Sequence, residues 1–227
     1  MVAVAANMKE VFTEISVLYK AGNKSDFRVV YGSSGNFTAQ IMNGAPFKLF
    51  ISADEHFPFE LYKQGRAMNE GSIYAIGKLA FISNKSSNKT LIKTNADIAK
   101  LISKANKIAI AKPELAPYGK AAIEYLKAEG LWDLAKDKLI YGDNIGVATM
   151  YVTSGAADVG FTALSLASSA EVTKKTSYIV LDDKQYQPIT QRMILMKGAP
   201  KEAIDLYQFM QGSQAKAVLQ KFGYTTP

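Results

Sequence analysis

The 227-residue chain has no cysteine and a single histidine. Without cysteine there are no disulfides, thiolate nucleophiles, iron–sulfur clusters or cysteine-based zinc sites. One histidine, His56, excludes a multi-histidine metal centre and leaves one candidate for a histidine base. No run of about 18 apolar residues occurs, so nothing reads as a bilayer span. Internal repeats, heptads and low-complexity tracts are missing too. What is present is 48% hydrophobic and 11% aromatic residues, which argues against disorder. The length fits one large domain or two small lobes, each able to bury a core. Lys and Arg number 27 against 20 Asp and Glu, giving +7 spread along the chain. That surplus is open to a nucleic acid, an anionic ligand or neither. Met1 runs straight into apolar residues 2–6, with no basic leader region or cleavage motif. This fits a cytosolic chain, or an exported one whose leader has been cut away.

Short apolar segments alternate with helical patterns. Residues 2–6 precede a helix over 8–21, where Val11, Phe12, Ile15, Leu18 and Tyr19 recur at helical spacing. Residues 27–31 precede Gly32-Ser33-Ser34-Gly35 and a helix through Phe37, Ile41 and Met42, broken by Gly44-Ala45-Pro46. Residues 49–51 form a third strand before a helix holding Phe59, Leu61 and Tyr62. Beyond Gly77, an apolar run at 79–82 enters a polar, turn-rich segment at 83–89. The alternation continues with strands at 108–111, 139–141, 159–161, 178–181 and 189–196. Helices are predicted at 96–103, 118–128, 145–152, 201–210 and 213–221. The pattern predicts an α/β fold of mostly parallel sheets flanked by helices. Crossings near residues 77–80 and 187–190 would return the last strand and helices to the first set. The expected lobes are therefore 1–78 with 190–227, and 79–189, with a ligand cleft between them.

The strongest local feature is Tyr31-Gly32-Ser33-Ser34-Gly35-Asn36, where a strand hands over to a helix. Backbone N–H groups at a helix start lack intrahelical partners and carry partial positive charge, so they attract anions. Taken alone, the segment reads equally as a serine N-cap. It is not a P-loop, because no Gly-Lys-Ser/Thr follows. Asn7, after Ala5-Ala6, lies at a similar junction and reads first as an N-cap. Pro113-Glu114-Leu115-Ala116-Pro117-Tyr118-Gly119 and Gly142-Asp143-Asn144-Ile145-Gly146 open two more helices. Four polar helix starts at the C-terminal ends of parallel strands would converge on one crevice.

Other chemistries fit poorly. Gly32-Ser33-Ser34-Gly35 lacks the spacing of a nucleophile elbow. His56 reads as an exposed residue at a helix start, and Asp54-Glu55 as a solvated, dipole-favoured first turn. Tyr19, Tyr62, Tyr125 and Tyr151 read as core rather than as ferric ligands, and the dispersed lysines form no nucleic-acid face. No enzymatic activity is expected.

The chain resembles the periplasmic molybdate-binding proteins of ABC transporters, which are type II solute-binding proteins. The resemblance is carried by Val4-Ala5-Ala6-Asn7, Gly32-Ser33-Ser34-Gly35, the run from Gln40 to Pro46, and Phe50-Ile51-Ser52-Ala53-Asp54-Glu55. Pro113-Glu114 to Gly119, Ala157-Asp158-Val159-Gly160-Phe161 and Lys221-Phe222-Gly223-Tyr224 extend it along the chain. It implies two α/β lobes closing on molybdate or tungstate, held by neutral donors. By position it implies ligand contacts from Asn7, Ser34, Tyr118 and Ile145, with Ala6 and Ser33 adjoining. It further implies no cofactor, no metal site beyond the oxyanion itself, a monomer, a membrane permease as partner and a periplasmic location. Two positions depart: Asn7 stands where many relatives have serine, and Ala163 where some have a ligand-reaching tyrosine, a loss Tyr118 could offset. Rival expectations are a binder of sulfate or chromate, or a sensor domain or transferase of the same fold.

Overall fold

The computed structural model describes residues 1–23, 26–86 and 92–227. From the N-terminus come β1 (Val2–Ala5), a 3-10 turn (Ala6–Met8), α1 (Lys9–Gly22), β2 (Val29–Gly32) and α2 (Ser34–Met42). They are followed by β3 (Leu49–Ile51), α3 (His56–Lys63) and β4 (Ser72–Gly77). The middle of the chain forms β5 (Leu79–Asn84), α4 (Asn95–Lys104), β6 (Ile108–Ala111), α5 (Pro117–Ala128) and α6 (Trp132–Ala135). Next are β7 (Leu139–Gly142), α7 (Ile145–Thr153), β8 (Val159–Ala163), α8 (Leu164–Ala167), α9 (Ala170–Lys175) and β9 (Thr176–Val180). The chain closes with β10 (Ile189–Leu195), α10 (Lys201–Gln211) and α11 (Ser213–Lys221). Met1–Gly77 together with Ile189–Pro227 make one compact unit, and Lys78–Pro188 the other.

In the first unit the sheet order is β2-β1-β3-β10-β4. β1 and β3 are apolar at every position because both their faces are covered. Alternate residues serve opposite cores: Val2, Val4, Leu49 and Ile51 face one, Ala3 and Phe50 the other. The first core takes the α1 stripe of Val11, Phe12, Ile15 and Tyr19, with Leu206, Met210 and Leu219 from α10 and α11. Tyr19 meets Phe209 edge-on, with ring centroids 5.3 Å apart. The second core takes Phe37 and Ile41 of α2 and Leu61 of α3. Helices α1 and α2 therefore cover opposite faces.

The second unit has the order β7-β6-β8-β5-β9. Its core includes Phe81 against Phe161 at 5.2 Å and Tyr125 against Phe161 at 5.9 Å. In each sheet two pairings are parallel and two antiparallel: a single strand, β10 in the first and β5 in the second, runs against the other four, so the sheets are mixed but mostly of one direction. The reason lies in the connections. Helical crossovers bind β1-β2-β3 and β6-β7-β8 to one direction. β10 and β5 each enter their sheet from the other unit, so neither is held to that direction, while β4 and β9 run with it.

Three short helices, α6, α8 and α9, are too brief to have shown a helical period. The polar segment begins later than its composition predicts: Ser83 and Asn84 belong to β5 and are buried, and residues 87–89 lie outside the described residues. Asn84 is tolerated there because its Nδ2 donates to Val152 O at 2.6 Å and its Oδ1 accepts from Ser86 N at 2.8 Å. Tyr19 and Tyr125 are core residues as predicted, whereas Tyr62 is exposed and Tyr151 half-buried. Among the described residues no helix is long and apolar enough to cross a membrane.

Candidate functional site

Each unit carries a topological switch point. β1 leads through α1 to β2 on one side, and the chain then returns to β3 on the other. β6, β7 and β8 repeat that order. Ligands of open α/β sheets bind beyond the strand C-termini at such points. The register brings the expected residues to these edges: Ala5 pairs with Gly32 in one unit, and Ala111 with Gly142 in the other. Ala6, Asn7, Ser33 and Ser34 thus share one sheet edge. Tyr118 and Ile145, each within the first turn of its helix, belong to the loops leaving β6 and β7.

In the first unit Ser33 is the N-cap of α2, its Oγ accepting from Asn36 N at 3.4 Å. The cap releases Ser34 from that duty. Ser34 is the first residue of α2, buried at 1% exposure, and its Oγ accepts from Ala53 N at 3.0 Å. That bond ties the start of α2 to the loop after β3 and leaves the hydroxyl proton as Ser34's contribution to any acceptor. Asn7 is not the N-cap its residue type predicts; it sits inside the 3-10 turn, and the capping position is Ala5. Its Nδ2 donates instead to Gln191 Oε1 at 3.0 Å and Tyr224 Oη at 2.8 Å. Both amide protons are thus directed into the protein, and what Asn7 offers at this edge is its main chain, where first-turn N–H groups have no intrahelical acceptor. Around it Tyr74 Oη lies 2.8 Å from Ser52 O and 2.7 Å from Gln191 Oε1. Burial, with Tyr224 and Asp54 nearby, pushes the Tyr74 phenol well above its ordinary range, so it stays a donor. Sequence reading missed Gln191 as a partner of Asn7, and Tyr74 as a partner of Gln191. Tyr224 had been met only within a terminal run of the resemblance.

In the second unit α5 starts with Pro117 at its first position, where a missing N–H costs nothing. No side chain caps it, and Tyr118 lies buried in the first turn. Gly119 lets α5 approach β6 closely: an added Cβ would press on the Ala111 carbonyl oxygen and lie 2.8 Å from its carbon. Gly142 does the same for α7, since a Cβ there would fall 2.6 Å from Ala148 N. Asn144 caps α7 by accepting from Val147 N at 3.1 Å, and Ile145 follows as its first residue. Thr149 Oγ1 anchors this turn through Ile145 O at 2.7 Å and lies 2.6 Å from Thr162 Oγ1. Ala163 ends β8 and is fully buried.

Two cations beside these edges, Lys112 and Arg192, are paired. Lys112, directly after β6, contacts Asp143 at 2.6 Å, and that hydrogen bond raises its pKa. Arg192 bonds Glu55 at 2.6 Å and stacks 4.5 Å from the Phe59 ring centre. His56 opens α3 and is exposed, and Asp54 accepts from Ser52 Oγ at 3.0 Å and Phe57 N at 3.3 Å. Among the described residues no cluster of three His, Asp or Glu side chains is arranged to hold a metal.

Comparison with known proteins agrees with this geometry. Residues 1–225 match the family model of the bacterial extracellular solute-binding proteins. The molybdate-binding protein ModA of Azotobacter vinelandii is 34% identical over 98% of this chain and 88% of its own length. That of Rhodobacter capsulatus is also 34% identical, over 99% and 87% respectively. The solved Azotobacter vinelandii periplasmic molybdate-binding protein superposes with a TM-score of 0.90 at 31% identity, covering 100% of this chain and 98% of that one.

Proposed function

The chain belongs to the bacterial extracellular solute-binding proteins, with a type II periplasmic binding fold, and from that premise we propose that it captures molybdate and tungstate for an ABC importer. The donors we assign are Asn7 and Ser34 from one unit and Tyr118 and Ile145 from the other, with Ala6 and Ser33 contributing less. The oxyanion is cargo rather than cofactor. The protein works outside the cytoplasm as a monomer and hands its ligand to a membrane permease. It performs no reaction on the anion.

One observation carries this reading: buried helix starts at the strand C-termini offer hydroxyl and main-chain donors, while the adjacent Lys112 and Arg192 are already paired. A dianion gives up its hydration on binding. Several charge-assisted hydrogen bonds of about 1.5–3 kcal/mol each must replace that water. Donor-only surroundings penalise a ligand that must itself donate, such as protonated phosphate. Sulfate is smaller and would stretch every bond, whereas molybdate and tungstate are close in size and should be bound alike.

Thermal unfolding with a panel of oxyanions tests the proposal. Ligand at 100 times its Kd adds about 2.7 kcal/mol, a rise of roughly 5–10 °C for a chain of this size. Stabilisation by molybdate and tungstate supports the reading. Stabilisation by sulfate or chromate alone would make this a binder of another oxyanion.

A further inference from the structure

We propose that Gln191 is a positioning residue for the oxyanion site, acting through Asn7; this rests on the function proposed above. Gln191 lies on β10, 184 residues from Asn7, in the interior of a sheet, and is fully buried. A glutamine there is unfavourable unless its polar atoms are bonded. A leucine or methionine would fill the same volume with no polar requirement, so what the glutamine adds is an acceptor at a fixed point.

The sheet is deformed where it does so. The β10–β4 ladder pairs Gln191 with Ala75 and Arg192 with Ile73, which leaves Tyr74 as an extra residue. In a regular strand Tyr74 would point away from the face that Ala75 shares with Gln191. A bulge re-aims side chains locally, and here the Tyr74 hydroxyl comes within 2.7 Å of Gln191 Oε1. Arg192 clamps the irregular segment: it donates to Glu55 Oε1 at 3.0 and 2.6 Å, to Glu70 O at 3.2 Å and to Gly71 O at 3.0 Å. Gln191 Oε1 is thus held from one side by Tyr74 and reached from the other by Asn7 Nδ2.

The consequence falls on the Ala6–Met8 turn. Asn7 has two amide protons, and Gln191 and Tyr224 accept both. Tyr224 Oη also reaches Asn7 O at 3.3 Å, so side chain and main chain of the same residue are fixed. A turn held in this way presents its main-chain N–H groups without the entropy cost of ordering them when the anion arrives.

The test is a double-mutant cycle read by calorimetric titration of the full chain with sodium molybdate. Gln191→Met should weaken binding roughly three- to tenfold, the range for losing one neutral hydrogen bond. In an Asn7→Ala background the same substitution should change affinity no further, because the residue it acts through is gone. A purely structural glutamine would give equal losses in both backgrounds, or lower the melting temperature at unchanged affinity, and either result overturns the proposal. Tyr224→Phe, which removes the second acceptor and leaves the β10–β4 ladder intact, gives the same cycle should Gln191→Met not fold. Wild-type protein that binds no oxyanion would overturn the function itself, whereas wild-type binding with a full-affinity Gln191→Met variant overturns this inference alone.

Discussion

Gly119→Ala probes how closely α5 must seat on β6. The added Cβ would lie 2.8 Å from the Ala111 carbonyl carbon and against its oxygen. Carbon–carbon contacts are comfortable at about 3.5–4.0 Å, so the start of α5 has to retreat by about 0.7 Å or more. Both obstructing atoms are backbone, which cannot rotate aside. The retreat has two effects that separate experimentally. Overpacking of this kind costs about 1–3 kcal/mol of stability. A hydrogen bond of about 2.9 Å from the Tyr118 N–H would lengthen to about 3.6 Å, beyond hydrogen-bonding distance. Losing one charge-assisted bond corresponds to roughly a 10–150-fold rise in Kd for molybdate. Urea unfolding and calorimetric titration of the same preparation measure the two effects. Gly22→Ala is the control, because a Cβ there has nothing within 4 Å. A Gly119→Ala protein with wild-type stability and wild-type affinity would refute the close seating and, with it, the role of the α5 start.

Ser34→Ala should weaken molybdate binding at least tenfold, and it should also lower stability by about 1–3 kcal/mol, because the Ala53 N–H loses its buried acceptor. Unchanged affinity would remove Ser34 from the site. Thr149→Val alone should destabilise the second unit by leaving the Thr162 hydroxyl buried without its 2.6 Å partner. Adding Thr162→Val should recover part of that loss in a denaturant cycle; strictly additive losses would contradict the coupling. Raising the pH tests the buried phenols: burial raises the pKa values of Tyr74, Tyr125 and Tyr186 in the folded chain. The unfolded chain deprotonates first, so these residues favour folding fully below about pH 10 and progressively less above it. Tyrosinate absorbance should show these residues titrating only with unfolding, and their early titration in the folded protein would count against the burial.

The alternation of short apolar strands with amphipathic helices was legible because each strand of three to five residues is bounded by a cap or turn that announces its helix. Ser33 and Asn144 could be read as helix starts for the same reason, since capping is local chemistry. Asn7 shows where that logic stops. Its residue type predicts a cap, but its amide is drawn away by Gln191 and Tyr224, which are 184 and 217 residues distant. No local pattern marks Gln191: in sequence it is the middle one of three polar residues, Thr190-Gln191-Arg192, and only the bulge with its extra residue Tyr74 sets it apart. The reversal of β10 and β5 was hidden too, because the direction of those two strands follows from connections to the other unit. Gly119 and Gly142 read in sequence only as parts of helix openings, while their actual demand is steric, set by the end of β6 against Gly119 and by α7 against Gly142.

The central claim is that neutral donors at helix starts, and not lysine or arginine, hold a tetrahedral oxyanion. Isothermal titration of the full chain with molybdate at low and at physiological ionic strength tests it most directly. The account predicts a single site of nearly unchanged affinity at both, because buried dipolar donors are screened far less than surface charges. Tungstate should be bound with comparable strength and sulfate far more weakly. Absence of binding, tighter binding of sulfate, or a steep fall in affinity with added salt would contradict it.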